Sequence, residues 1–227
     1  MKKILLIEDR TLRQNIACNE ISLDISKYDD IVENAIEEKY QIFLQQVEKS
    51  EFISDDYMAI MAHKSAFGDK NQQMLGYIEN ICKKNDMPLV LFSGGMSVSH
   101  YTKGDEIEKL LLNTKIFYSN NLRLFLEHFR EKNEIELMVL NYGKSWRLNI
   151  LLNVLEKINF FIAKESAEDV ICEEFTNKTG SHLLEKVTDT NEIEKLKSQN
   201  GWITLEDIKK YAQTIEKIVE KRILHER

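Results

Sequence analysis

Two adjacent carboxylates, Glu8 and Asp9, follow directly on the apolar run Lys3-Ile4-Leu5-Leu6-Ile7. A second run, Tyr57-Met58-Ala59-Ile60-Met61-Ala62, ends in His63-Lys64-Ser65, and a third, Pro88-Leu89-Val90-Leu91-Phe92, ends in Ser93. Such runs read as buried strands of a parallel sheet. Open α/β sheets bind ligands just outside the carboxyl ends of their strands. With those strands side by side, Glu8, Asp9, His63 and Ser93 meet at one sheet end. Two carboxylates and an imidazole are ligand types for a divalent metal, so Glu8, Asp9 and His63 are the metal candidates. The alternative is a solvated acid pair neutralised by Lys64. A complete set of nucleophile, base and electrophile is not evident.

Two loops add weaker candidates. Ser93-Gly94-Gly95-Met96-Ser97-Val98-Ser99 resembles the pyrophosphate-binding loop of the ATP-pyrophosphatase superfamily, in which strand–Ser-Gly-Gly-x-Asp-Ser leads into a helix. That resemblance implies a phosphate cradle at Ser93, Gly94, Gly95 and Ser97, built from backbone amides and a helix N-terminus. Ser97 stands where that family has its aspartate, and Val98 where it has the next serine. A turn that uses its glycines for flexibility is the competing reading. Asn141-Tyr142-Gly143-Lys144-Ser145 ends like a phosphate-binding Walker loop, but Met138 holds the place of its first glycine. His100, His128, His182 and His225 show no ligand spacing, and Cys18, Cys82 and Cys172 are scattered. Trp202, after Asn200-Gly201, is expected to be a packing anchor.

The elements that must position these residues alternate. Strands are expected at 3–7, 21–25, 57–62, 88–93 and 115–118. Helices are expected at Thr11–Glu20, from Asp29 or Asp30 to Val47, at Asn71–Lys84, at Asp105–Leu112 and at Asn121–Arg130. Five alternations predict an α/β fold, a flavodoxin-like doubly wound five-stranded parallel sheet. Beyond Glu131 the texture turns helical. Ile135–Leu140 reads as a strand or a helix start, and Trp146–Phe161 as a helix apolar on more than one face. Ala167–Phe175 and Leu183–Lys197 are helical stretches, and a final helix opens at Thr204-Leu205-Glu206-Asp207, a capping-box-like start. The expected domains are 1–131, α/β, and 132–227, helical.

The first 130 residues resemble the receiver domain of bacterial response regulators. On that resemblance, the magnesium-holding acids map to Glu8 and Asp9 and the switch hydroxyl to Ser93. The phospho-acceptor position falls within Met61, Ala62 or His63, none of them a carboxylate. The lysine position falls at Tyr118 or Ser119. Aspartyl phosphorylation needs the nucleophile, the acids and the cation together. The resemblance therefore implies a pseudo-receiver, with Glu8, Asp9, His63, Lys64, Ser93, Tyr118 and Ser119 as the remnant of its pocket. It implies a non-catalytic regulatory or adaptor protein in a bacterial signalling or conflict system. The alternative is a nucleotide- or metal-dependent enzyme using the Ser93-Gly94-Gly95 loop with Glu8, Asp9 and His63.

Composition narrows the partners. The formal net charge is −7, and acidic residues exceed basic ones in both halves of the chain, which argues against nucleic acid. In the final helix Lys209, Lys210, Lys217, Lys221 and Arg222 alternate with acids, the pattern of a solvated, paired face. No apolar run reaches the ~20 residues of a membrane helix, so a cytoplasmic protein without membrane contact is expected. No cofactor and no small-molecule ligand are expected. The expected contacts are a protein partner or a second copy, through residues 140–227.

Overall fold

Apolar residues on both faces of a short run leave it only one stable place, the interior of a sheet covered on each side. In the computed structural model, which describes residues 2–103, 107–164, 170–188 and 201–225, Lys3–Ile7 (β1) takes that place. The chain divides into two compact units, Met1–Lys144 and Ser145–Arg227. In the first, β1 is followed by α1 (Thr11–Glu20), β2 (Val32–Ala35), α2 (Glu37–Glu48), β3 (Tyr57–His63), α3 (Asn71–Lys84) and β4 (Leu89–Ser93). Then come β5 (His100–Lys103), β6 (Glu108–Asn113), α4 (Thr114–Phe117), α5 (Asn120–Lys132) and α6 (Met138–Tyr142). The fold is α/β with a mostly parallel six-stranded sheet, ordered β2-β1-β3-β4-β6-β5. Only β5, at one edge, runs antiparallel to its neighbour.

Alternation sorts the core. Leu5, Ile7, Ile60, Ala62, Leu89 and Leu91 face one side, against Phe43 and Val47 of α2 and Met74 and Ile78 of α3. Ile4, Leu6, Met61, Val90 and Phe92 are buried as well, and Phe92 stacks on Phe117 with ring centroids 3.9 Å apart. Arg123 of α5 donates to the carbonyls of Ile21 and Ser22 at 2.6 and 2.9 Å, which ties α5 to the end of α1.

Four expected elements are corrected. Residues 21–25 are not a strand: Asp24 accepts from the Ser26 amide at 3.1 Å and starts a 3₁₀ turn, Ile25–Tyr28. The second strand is Val32–Ala35, inside the stretch expected to be helix, because Ile31 and Val32 fill the buried slot beside β1 and pairing overrides helical spacing. The remaining two are exchanged. Residues 108–113 form β6 rather than a helix, since Leu110 and Leu112 pair beside Val90 and Phe92 and are wholly buried. Residues 115–118 are then helix and not strand, capped where Asn113 Oδ1 accepts from the Lys115 amide at 2.8 Å. The sheet has six strands instead of five because β5 folds back onto β6. The expected helix start at Asp105 lies outside the described residues.

Residues 135–140 resolve as the lead into helix α6. Asn121 of α5 donates to the Leu140 carbonyl at 3.3 Å, and α6 packs on α5, so the first unit runs to Lys144 and past residue 131. The Gly143-Lys144-Ser145 segment is a 3₁₀ turn. Gly143 has φ 67° and ψ −146°, and a Cβ there would meet Asn121 Oδ1 at 2.5 Å. That backbone region is open to glycine alone. Gly143→Ala is therefore expected to destabilise the first unit by about 1–3 kcal/mol, read as a shift in the urea midpoint with an unchanged slope. A midpoint within error of wild type would refute this.

In the second unit, α7 (Trp146–Lys164) is followed by β7 (Val170–Ile171), α8 (Cys172–Thr179), a 3₁₀ turn at Ser181–Lys186, β8 (Trp202–Ile203) and α9 (Leu205–His225). β7 and β8 pair antiparallel. Thr204 caps α9: its hydroxyl accepts from the Asp207 amide at 3.1 Å and donates to the Asp207 carboxylate at 2.6 Å. Ile150, Val154, Ile158 and Phe161 of α7 and Ile208, Tyr211, Ile215 and Val219 of α9 are buried, and the two helices pack together. Phe175 bridges them, edge-on to Phe161 at 5.4 Å and to Tyr211 at 6.4 Å. Trp202 is 53% exposed, so it is not the expected anchor; its two-residue strand holds it at an edge. The helices expected at Ala167–Phe175 and Leu183–Lys197 are corrected where they are described: Val170–Ile171 pairs as strand before α8, and residues 183–186 belong to the 3₁₀ turn, while 167–169 and 189–197 lie outside the described residues. No helix among the described residues is long and apolar enough to cross a membrane.

Candidate functional site

The order β2-β1-β3 makes the β1/β3 border the point where chain direction across the sheet reverses, and open α/β sheets bind ligands at the strands' carboxyl ends beside such a point. The loop after β1 delivers Glu8 and Asp9 to it; the end of β3 and the following turn deliver His63 and Ser65. Glu8 is fully buried and Asp9 partly so. Ligand atoms of Glu8, Asp9 and His63 lie within 4.8 Å of one another. These three expected metal candidates are thus brought together.

A side chain from the first turn and a half of α1 already sits among them. Arg13 Nη2 donates to Glu8 Oε1, to Asp9 Oδ1 at 2.6 Å and to Ser65 Oγ at 3.3 Å. Asp9 and Arg13 are four residues apart, so the start of α1 carries the guanidinium back over the acid it follows. Ser65 Oγ in turn donates to Asp9 Oδ1 at 2.7 Å and lies 2.7 Å from His63 Nδ1. The Glu8 carboxylate also accepts from the Arg10 amide at 3.3 Å and from Tyr118 Oη, 3.3 Å from Oε2. Gln14 donates to Tyr118 Oη at 3.2 Å and exchanges two hydrogen bonds with Asn34, at 3.1 and 2.8 Å. Every heavy oxygen of the acid pair has a partner within the protein, apart from the outer edge of Asp9, where Arg10 stands 3.6 Å away.

Burial and charge set the protonation states. Burial pushes the Glu8 carboxyl above its ordinary value, and Arg13 offsets only part of this. Burial acts the same way on Asp9, but the Ser65 hydroxyl and the Arg13 charge outweigh it and hold Asp9 below the usual carboxylate range. Burial first, and the Arg13 charge second, push the His63 imidazole down to about 4. His63 is therefore neutral at pH 7. Its Nδ1 lies 3.8 Å from Asp9 Oδ1, a contact between a neutral ring and a carboxylate rather than an ion pair. Phe92 closes the ring's other side, edge-on at 5.3 Å.

This chemistry is poorly suited to covalent catalysis. In a Ser-His-acid triad the imidazole stands between hydroxyl and carboxylate; here Ser65 stands between His63 and Asp9. A hydroxyl bonded to a carboxylate held below its ordinary pKa, beside an imidazole pushed down to about 4, faces two weakened bases. The end of β3 carries no carboxylate to accept a phosphoryl group.

The other sequence candidates fall into separate places. Ser93 ends β4 at the same sheet end, but its hydroxyl accepts from the Gly95 amide at 3.4 Å. Asn113 Nδ2 clamps the loop by donating to the Gly94 and Met96 carbonyls at 3.3 and 2.6 Å. The loop, with Ser97 exposed, leads into strand β5 and not into a helix, so Gly94 and Gly95 have no helix N-terminus behind them. Lys64 begins the turn after β3. Tyr118 enters the site through its hydroxyl, whereas Ser119 caps α5, accepting from the Asn121 amide at 3.2 Å. Arg13, Gln14, Asn34 and Ser65 were not sequence candidates. Only Arg13 had a signal to find it by, its four-residue spacing from Asp9.

No protein-family model, no curated protein and no solved structure matches this chain.

Proposed function

We propose that the first unit is a flavodoxin-like pseudo-receiver and that the protein is a non-catalytic regulatory adaptor working through protein contacts, in a bacterial signalling or conflict system. The observation that carries this reading is the Arg13 guanidinium seated on both Glu8 and Asp9. A divalent cation in a receiver-like pocket would neutralise those two acids; here a side chain does so permanently, at no dependence on metal or phosphoryl donor. The strand order, with β1, β3, β4 and β6 parallel and the acids after β1, supports the same assignment. The weak bases around Ser65 support a pocket kept for structure rather than turnover. The helical unit, with Leu152 and Phe160 exposed on α7, offers the apolar surface that contacts need.

The test is exposure of the full chain to radiolabelled acetyl phosphate with magnesium, and to beryllofluoride, followed by intact-mass analysis. No stoichiometric label and no adduct are expected. A hydroxylamine-labile phosphoryl group within residues 1–144 would end the pseudo-receiver reading. The second reading, a metal-dependent enzyme, draws on the close approach of Glu8, Asp9 and His63. A manganese-dependent rise in melting temperature of the unaltered protein, lost in Asp9→Asn, would move the assignment there.

A further inference from the structure

The helical unit holds a pocket of about 410 Å³ lined by Lys157, Phe160, Phe161, Lys164 and Lys178. Its floor is aromatic and its rim is cationic. Phe161 is buried, but Phe160 on the same helix is 60% exposed. Lys164 Nζ stands 4.4 Å from the Phe160 ring centroid and Lys178 Nζ 5.6 Å from that of Phe161. Lys178 is paired with Glu174 at 2.7 Å, and among the described residues that line the pocket there is no carboxylate. Around this exposed apolar surface the described lining carries three lysines, one of them already paired with a carboxylate.

We infer that this pocket docks an acidic peptide segment of a partner protein, with an aromatic or aliphatic residue at the centre of the segment. The apolar side chain fills the space over Phe160 and Phe161, where burial of aromatic surface supplies most of the affinity. Flanking carboxylates meet Lys157 and Lys164, which set orientation and encounter rate. Other occupants fit less well. A second copy of the chain would bring the same lysines face to face. A nucleic-acid backbone would satisfy the lysines but leave the aromatic floor without an apolar group to cover it. The inference rests on the adaptor reading and names the partner chemistry of that reading.

The experiment is selection of a random dodecapeptide display library on the immobilised full-length protein, with isothermal titration of the enriched peptides. The expected result is enrichment of peptides with Asp or Glu on both sides of a central Phe, Trp or Leu. Their binding should weaken as salt rises from 50 to 300 mM, a range chosen to span strong and weak screening (Debye lengths of roughly 14 and 6 Å). Phe160→Ser should weaken binding about thirtyfold and Lys164→Glu about tenfold. Both side chains are exposed, and circular dichroism checks that the variants fold. Enrichment of basic or uncharged peptides, no enrichment at all, or acidic peptides that bind both variants as they bind wild type would overturn the proposal. Phosphoryl labelling of the first unit would defeat the pseudo-receiver reading while leaving this selection unaffected, so the two failures are distinguishable.

Discussion

Arg13→Ala should lower the stability of the first unit by about 3 kcal/mol, because it strips the only cation among the described residues in contact with a fully buried carboxylate and leaves that charge uncompensated. For a unit of this size the melting temperature should fall by roughly 10 °C. The pH dependence gives the cause away. Burial already holds Glu8 above its ordinary carboxyl value, and without Arg13 the rise is larger. Above that ordinary value the unfolded chain has released its proton while the folded chain keeps it, so the variant loses stability as pH rises. It should therefore be closer to wild type at pH 5 than at pH 8. Glu8→Gln in the same background removes the buried charge and should recover much of the loss at pH 8. Millimolar manganese should raise the melting temperature of Arg13→Ala by a few degrees and leave wild type unchanged, since a ligand stabilises only a state that binds it. An Arg13→Ala protein that melts within about 1 °C of wild type at every pH would show that the guanidinium is not the site's counter-ion.

His63 should make the protein sensitive to acid well before its carboxylates do. Its folded value of about 4 lies below the ordinary 6.5. The folded ring stays neutral while the unfolded ring takes up a proton, so stability is intact above pH 6.5 and falls as pH drops from there towards 4. The window corresponds to about 3 kcal/mol. Asp9 contributes in the same direction but only below its ordinary 3.8, and Glu8, being raised, works in the opposite direction. The clean readout is thus the difference between wild type and His63→Asn, whose amide oxygen replaces Nδ1 as an acceptor and does not titrate. Urea midpoints at half-unit steps should show wild type losing stability between pH 6.5 and 4 and His63→Asn holding nearly level there. Parallel curves for the two proteins would remove His63 from the account.

Much of this protein follows from local residue order. The runs at 3–7, 57–62 and 89–93 are apolar on both faces, and the interior of a sheet covered on each side accepts such strands, so the sheet's centre and its carboxyl end with Glu8, Asp9 and His63 were legible. The same holds for the capped start of α9 at Thr204 and the apolar stripe behind it. Tertiary contact decided what local order left ambiguous. Residues 108–113 carry three leucines that suit a helix or a strand equally, and only the empty place beside β4 made them strand; the expected strand at 115–118 then became a capped helical turn. Val32 to Ala35 likewise became an edge strand because β1 offered them hydrogen bonds. The character of the site was decided in the same way. Glu8 and Asp9 announce a metal pocket as long as they are read alone. What turns them inward is a guanidinium on α1, signalled by its four-residue spacing from Asp9, together with a hydroxyl from the turn after β3 and a phenol from beyond β6; the spacing of those last two, far apart in sequence, carries no record of their meeting.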